Sequence, residues 1–218
     1  MEEKLQQASE KASRETGIKD FVEAVSSEAP APGGGSVSAC AGSLSAALAG
    51  MVCRLTVKKK KYADVKDELT EVMIRADKLK EELYKAVSED ARAFDALMAA
   101  FKLPKETEEM QKKRDEEIQK ATIKATRVPL KVMELSHEAI KCARIVADKG
   151  NVNSLSDAGV SALAGRTAVI GAYMNVRINL PGINDEAVKA EIRGKADKIR
   201  SEAVELAQKI EDDVLARL

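Results

Sequence analysis

One stripe of side chains fixes what residues 62–101 can become. Placed at 100° per residue, Val65, Leu69, Val72, Ala76, Leu79, Leu83, Val87, Phe94, Leu97 and Phe101 fall within about 40° either side of a single line. A strand would alternate every second residue, so the segment reads as one long helix with a narrow apolar face. Asp90 falls on the same line and is its only polar member. A carboxylate on a core face is costly unless it is paired, hydrogen-bonded or protonated. Asp90 is therefore the candidate for a group whose pKa is tuned for proton transfer; the competing reading is a buried aspartate satisfied by a neighbouring helix.

The rest of the chain keeps the helical period. Residues 1–16 are polar and poorly patterned and read as a loosely attached lead segment. Ile18, Phe21, Val22 and Val25 mark a short amphipathic helix over 18–28. Pro30-Ala31-Pro32-Gly33-Gly34-Gly35 stops it, and Ser36 follows as an N-cap for a helix reaching about residue 57. Ala39, Gly42, Ala46, Ala49 and Cys53 give that helix a face of small residues that lets a second backbone approach. A second long helix is expected over 106–148, kinked at Pro129 because the Ala125 carbonyl loses its donor, and ended by Gly150. A second small-residue helix follows the polar loop 151–157, with Asp157, Ser161, Ala164, Ala168, Gly171 and Asn175 on one face. A last amphipathic helix begins near Asn184 and carries Val188, Ile192, Ala196, Ile199, Val204 and Ile210 on or near its apolar side. The expected fold is all-α: a single-domain, up-and-down bundle of long helices around two close-packed small-residue helices, spanning residues 1–218.

Composition narrows the function. The 218 residues are 44% hydrophobic and 33% charged, enough for a globular core, and 36 basic residues balance 36 acidic ones, which does not point to nucleic acid. Cys40, Cys53 and Cys142 have no paired spacing and read as small core residues of a reducing, cytoplasmic compartment. A single histidine, His137, lies on a charged stretch and reads as surface; metal catalysis is set aside. No charge occurs between Glu28 and Arg54, yet residues 36–53 are mostly Ala, Gly and Ser, short and weakly apolar for a membrane span. The positive cluster follows this apolar run, the reverse of a signal peptide, so the segment reads as a buried central helix and no membrane is expected.

Besides Asp90, four places have chemical potential. The Gly33-Gly34-Gly35-Ser36 turn offers free backbone N–H groups and close approach to a ligand; it lacks the ending of a nucleotide phosphate loop and is otherwise a tight turn. Lys58 to Lys61 form a cationic corner, or simply a solvated one. Asn153 and Asp157 make a polar pocket, unless Ser156 or Asp157 only caps a helix. Asn175 and Asn179 are amides on a close-packed helix and need partners, in the protein or in a planar polar ligand.

Read together, these segments resemble a known family. Pro30-Ala31-Pro32-Gly33-Gly34-Gly35-Ser36-Val37, Leu55-Thr56, Lys59-Lys60-Lys61-Tyr62, Asp90-Ala91-Arg92-Ala93-Phe94, Leu103-Pro104-Lys105, Gly150-Asn151 with Ser156-Asp157, and Gly171 through Leu180 occur in the order and spacing of the formiminotetrahydrofolate cyclodeaminase and methenyltetrahydrofolate cyclohydrolase family. The resemblance runs from about Ile18 to near the C-terminus, without the formiminotransferase part of bifunctional members, as in a stand-alone chain. It implies an all-helical homodimer that binds a reduced folate, with or without a polyglutamate tail, and needs no metal or cofactor. Asp90 would be the catalytic carboxylate. Gly33, Gly34, Gly35, Ser36, Asn151, Asn153, Ser156, Asp157 and Asn175 would contact the folate, and Lys60, Lys61 and Tyr62 would face its glutamate tail. Cyclodeaminase is the leading activity and cyclohydrolase the alternative. A non-catalytic helical dimerisation module is the rival from another class.

Overall fold

The structure, a computed structural model, describes residues 17–218; the expected lead segment lies outside them. Six α-helices follow one another: α1 (Ile18–Val25), α2 (Gly34–Val57), α3 (Lys66–Phe101), α4 (Glu108–Lys149), α5 (Leu155–Asn179) and α6 (Glu186–Leu215). Among the described residues there is no strand.

The two small-residue helices, α2 and α5, are the centre of the bundle. Ala39, Ala46, Ala49 and Cys53 of α2 and Ala158, Ala162, Ala168 and Ala172 of α5 are wholly buried. Their antiparallel packing is closed by hydrogen bonds that larger side chains would prevent: the Ser161 hydroxyl donates to the Ser45 carbonyl at 2.7 Å. A Cβ added to Gly165 would lie 2.5 Å from Ile140 Cγ1 on α4 and 2.9 Å from Ser45 Oγ on α2. We therefore expect Gly165→Ala to destabilise the fold. Its helix-propensity gain of about 1 kcal/mol is offset by overpacking of about 1–3 kcal/mol, and a lowered urea midpoint would show this.

α3 and α4 flank this pair. The stripe of α3 is buried as expected at Leu69, Val72, Ala76, Leu79 and Leu83, but further along the inward line moves to Ala86, Ala93 and Ala100, and Phe101 is exposed. The first turn of α2 meets α3 at Asp90, so beyond that point α3 no longer packs against α2 and its inward line shifts. The helix also starts later than expected. Residues Lys60–Val65 form a 3-10 turn in which Tyr62 leaves helical geometry.

Pro129 sits inside α4, and the carbonyl it orphans at Ala125 is satisfied by the Asn179 side-chain amide, which donates to it at 3.1 Å. His137 is buried, contrary to the surface reading. It shares a face with Met133 and Ile140 and is buried there, although Glu138 and Lys141 stand close enough to act on its charge. Ser36, Ser156 and Asp157 do not cap their helices. α2 starts after Gly33 and α5 after Ser154, which places all three side chains inside a first turn.

α2 is long and apolar enough to cross a membrane by length and composition, but more than half of its apolar window is buried against the rest of the bundle, as in a core helix. Its remaining face is open.

Candidate active site

Asp90 is held where the first turn of α2 meets the middle of α3. The Ser36 hydroxyl donates to Asp90 Oδ2 at 3.1 Å and lies 3.0 Å from the Val87 carbonyl oxygen. That second acceptor explains why Ser36 does not cap its own helix. The other carboxylate oxygen rests over Gly35, where a Cβ would stand 2.1 Å from Oδ1. Gly34 is covered by Asn175, whose Nδ2 would lie 3.4 Å from a Cβ there and itself donates to the Gly171 carbonyl at 2.8 Å. The turn offers backbone N–H groups at a helix N-terminus, of which that of Ser36 already serves Asp90, and a backbone that a carboxylate can touch.

Two effects oppose each other on Asp90. Burial of the half-buried carboxyl raises its pKa, while the hydrogen bonds from the Ser36 side chain and backbone lower it; burial is the larger and the pKa is raised above the ordinary value. A carboxyl that holds its proton longer than usual is a better proton acceptor near neutral pH. Nothing else among the described residues competes for this role. Burial, then Lys141, lowers the pKa of His137, which keeps it neutral, and burial pushes the Cys53 thiol up to about 12, leaving no thiolate at neutral pH. Among the described residues no cluster of His, Cys, Asp or Glu has the arrangement of a metal site.

The structure brings Gly33, Gly34, Gly35, Ser36, Asp90 and Asn175 together and separates them from the rest. Lys60, Lys61, Tyr62, Asn151, Asn153, Ser156 and Asp157 gather at the opposite end of α2. There the Asn151 N–H donates to Thr56 Oγ1 at 2.8 Å and the Val152 N–H to the Tyr62 hydroxyl at 3.2 Å. Asn153 donates its N–H to the Asn151 side chain at 3.3 Å, and Lys61 lies 5.7 Å from the centre of the Tyr62 ring. Thr56 is 22 residues beyond Gly34, so the two groups are about 33 Å apart along α2. The residues expected to form a single folate site therefore fall into two separate groups in one chain. Sequence reasoning missed this because each motif was placed on a helix without its partner. It also missed the Ser36–Asp90 bond; three successive glycines, where a turn needs fewer, were the available signal.

Comparison with known proteins places this helical bundle in a family of enzymes. Residues 17–198 fit the family description "Formiminotransferase-cyclodeaminase", and the chain belongs to that family. A methenyltetrahydrofolate cyclohydrolase of Methylorubrum extorquens is 39% identical over 201 residues, 92% of this chain and 97% of the relative. The formimidoyltransferase-cyclodeaminase of Rattus norvegicus is 36% identical over 186 residues, 85% of this chain but only 34% of the longer relative. The crystal structure of a formiminotetrahydrofolate cyclodeaminase from Thermotoga maritima superposes with a TM-score of 0.84 at 27% identity, covering 93% of this chain and 97% of that one.

Proposed function

We propose that this chain is a folate one-carbon enzyme that forms 5,10-methenyltetrahydrofolate from 5-formiminotetrahydrofolate with release of ammonia. The observation that carries the reading is the raised Asp90 carboxyl held against the N-terminal turn of α2, in a chain whose relatives are cyclodeaminases and a cyclohydrolase. N10 of the substrate attacks the carbon of the N-protonated formimino group and forms the C–N10 bond. Asp90 takes the N10 proton and returns it to the former imino nitrogen. The N5 lone pair then expels ammonia and leaves the methenyl cation. The carboxylate also neutralises the amidinium-like charge, which the positive end of α2 alone would repel.

Hydrolytic opening of the methenyl ring gives the second reading, favoured by the cyclohydrolase relative that matches nearly end to end. Water attacks the methenyl carbon and Asp90 accepts one of its protons; the hydroxyl of the adduct then gives up its own proton to become the formyl oxygen as the C–N5 bond breaks and N5 is protonated, which leaves 10-formyltetrahydrofolate. Ammonia release from the formimino compound, measured beside loss of methenyl absorbance, separates the two readings. Neither signal would refute both and favour the non-catalytic module.

The family resemblance also implies a homodimer, and one surface suits it. Val37, Leu44 and Leu55 on α2 lie in line with half-buried Leu48 and Met51, and Val160, Leu163, Met174 and Ile178 form a parallel row on α5. Leu44 is 56% exposed, Met174 63% and Ile178 77%. Helical geometry puts both rows on the same side of the α2–α5 pair. A continuous apolar face of this kind marks an interface. Leu44→Glu is expected to shift the protein from dimer to monomer in sedimentation equilibrium without changing its far-UV spectrum. The reduced thiols of Cys40, Cys53 and Cys142 fit a cytoplasmic setting.

A further inference from the structure

The two groups in one protomer are too far apart to hold one ligand, yet each lacks what the other has. Among the described hydrogen bonds and ion pairs, no cation touches Asp90 or its glycine turn, so nothing there answers the carboxylates of a folate tail. At the other end, four exposed lysines stand in succession beside Tyr62, with no carboxylate set against a helix N-terminus as Asp90 is.

Building on the proposed function, we propose that each folate site is shared: Asp90 and the glycine turn come from one protomer, and the Lys60–Lys61–Tyr62 corner comes from a second copy of this chain. The occupant of the α2–α5 face is then an antiparallel copy. Three features on that face favour this arrangement. The α2 row from Val37 to Leu55 is free of charge up to Arg54, so α2 can lie on α2 over about 27 Å with no unpaired ion. A two-fold axis across the middle of α2 places the Gly34 end of one copy over the Thr56 end of the other. Charge selects this axis over the one along the helices. The latter would stack Lys58 to Lys61 on their own copies, whereas the former sets them near the end that carries Asp90, where Asp20, Glu23, Glu28 and Glu89 are interspersed with Lys19, Lys85 and Arg92 and no like-charged run opposes them. The overhang of α3 beyond α2, with its half-buried Phe94, Leu97 and Met98, then forms a ledge alongside the partner's corner. A reduced folate is long enough to reach from the carboxyl to a lysine corner across such a seam.

Mixed dimers test this. Differently tagged chains carrying Asp90→Asn alone and Lys60→Glu/Lys61→Glu alone are co-expressed, and the mixed dimer is isolated. One of its two sites would collect both lesions and the other none, so kcat/KM is expected to return to about half of wild type. The triple variant paired with a wild-type chain should instead stay near the level of the single-lesion dimers. The opposite pattern would overturn the shared site while wild-type turnover kept the proposed function standing. A second readout is independent of turnover. In a Cys40→Ser background, Val37→Cys on one chain and Leu55→Cys on the other should form an intermolecular disulfide on mild oxidation. Absence of that 37–55 link would overturn the pairing even if the wild-type chain acted on neither folate.

Discussion

Asp90→Asn is expected to lower turnover by about 10²–10⁴ while leaving reduced-folate affinity within a few-fold, because it removes a proton acceptor and keeps the shape and the Ser36 hydrogen bond. The same substitution should make the protein more stable at neutral pH. The folded pKa of Asp90 is raised, so the fold favours the protonated carboxyl, and that contribution is present at low pH and lost as pH rises through the folded pKa. At pH 7 the wild type carries an ionised, half-buried carboxylate that the asparagine variant does not. The urea midpoint of the variant should exceed that of wild type at pH 7, and the gap should close on acidification. Lost turnover with gained stability distinguishes a catalytic carboxylate from a structural one; a structural Asp90 would give the reverse sign.

Gly35→Ala should be nearly as damaging to activity through a different cause. Its Cβ would stand 2.1–2.6 Å from all three terminal atoms of the Asp90 carboxyl group. The carboxylate is the movable partner, so it swings away and the backbone does not. Misplacement by about 1 Å costs on the order of 10²-fold in rate. Stability should change by less than about 1 kcal/mol, since alanine improves helix propensity at that position. Gly34→Ala is the matched control: its nearest neighbour would be Asn175 Nδ2 at 3.4 Å, an ordinary contact, and turnover should stay within a few-fold of wild type. Equal losses from both variants would argue that the turn acts by flexibility and not by holding Asp90.

The residues differ in how much of this the sequence displayed. Asp90 was legible because a helix has one period and a single polar side chain broke it. The small-residue faces of α2 and α5 were legible for the same reason, and so was the orphaned Ala125 carbonyl, which follows from Pro129 alone. What supplies the missing donor, Asn179, is a contact across 54 positions that no local pattern encodes. Ser36 looked like a cap because serine before an apolar run commonly is one; the Val87 carbonyl and Asp90, brought up by α3, outcompete that use. His137 was hidden by its flanking charges, Glu134, Glu138 and Lys141, because its burial comes from the helices packed against α4, which no local pattern displays. The separation of the two groups was invisible, because sequence order gives each motif a helix and says nothing about which ends of the helices meet.

The most direct test of the account is a carboxyl-carbon NMR titration of the aspartates, with Asp90→Asn used to assign the resonance. The account predicts one aspartate signal, missing from the variant, that titrates above the ordinary value of about 3.9 and coincides with the acid limb of the wild-type kcat/KM profile. A signal for Asp90 that titrates at or below the ordinary value, or that has no counterpart in the rate profile, would contradict it.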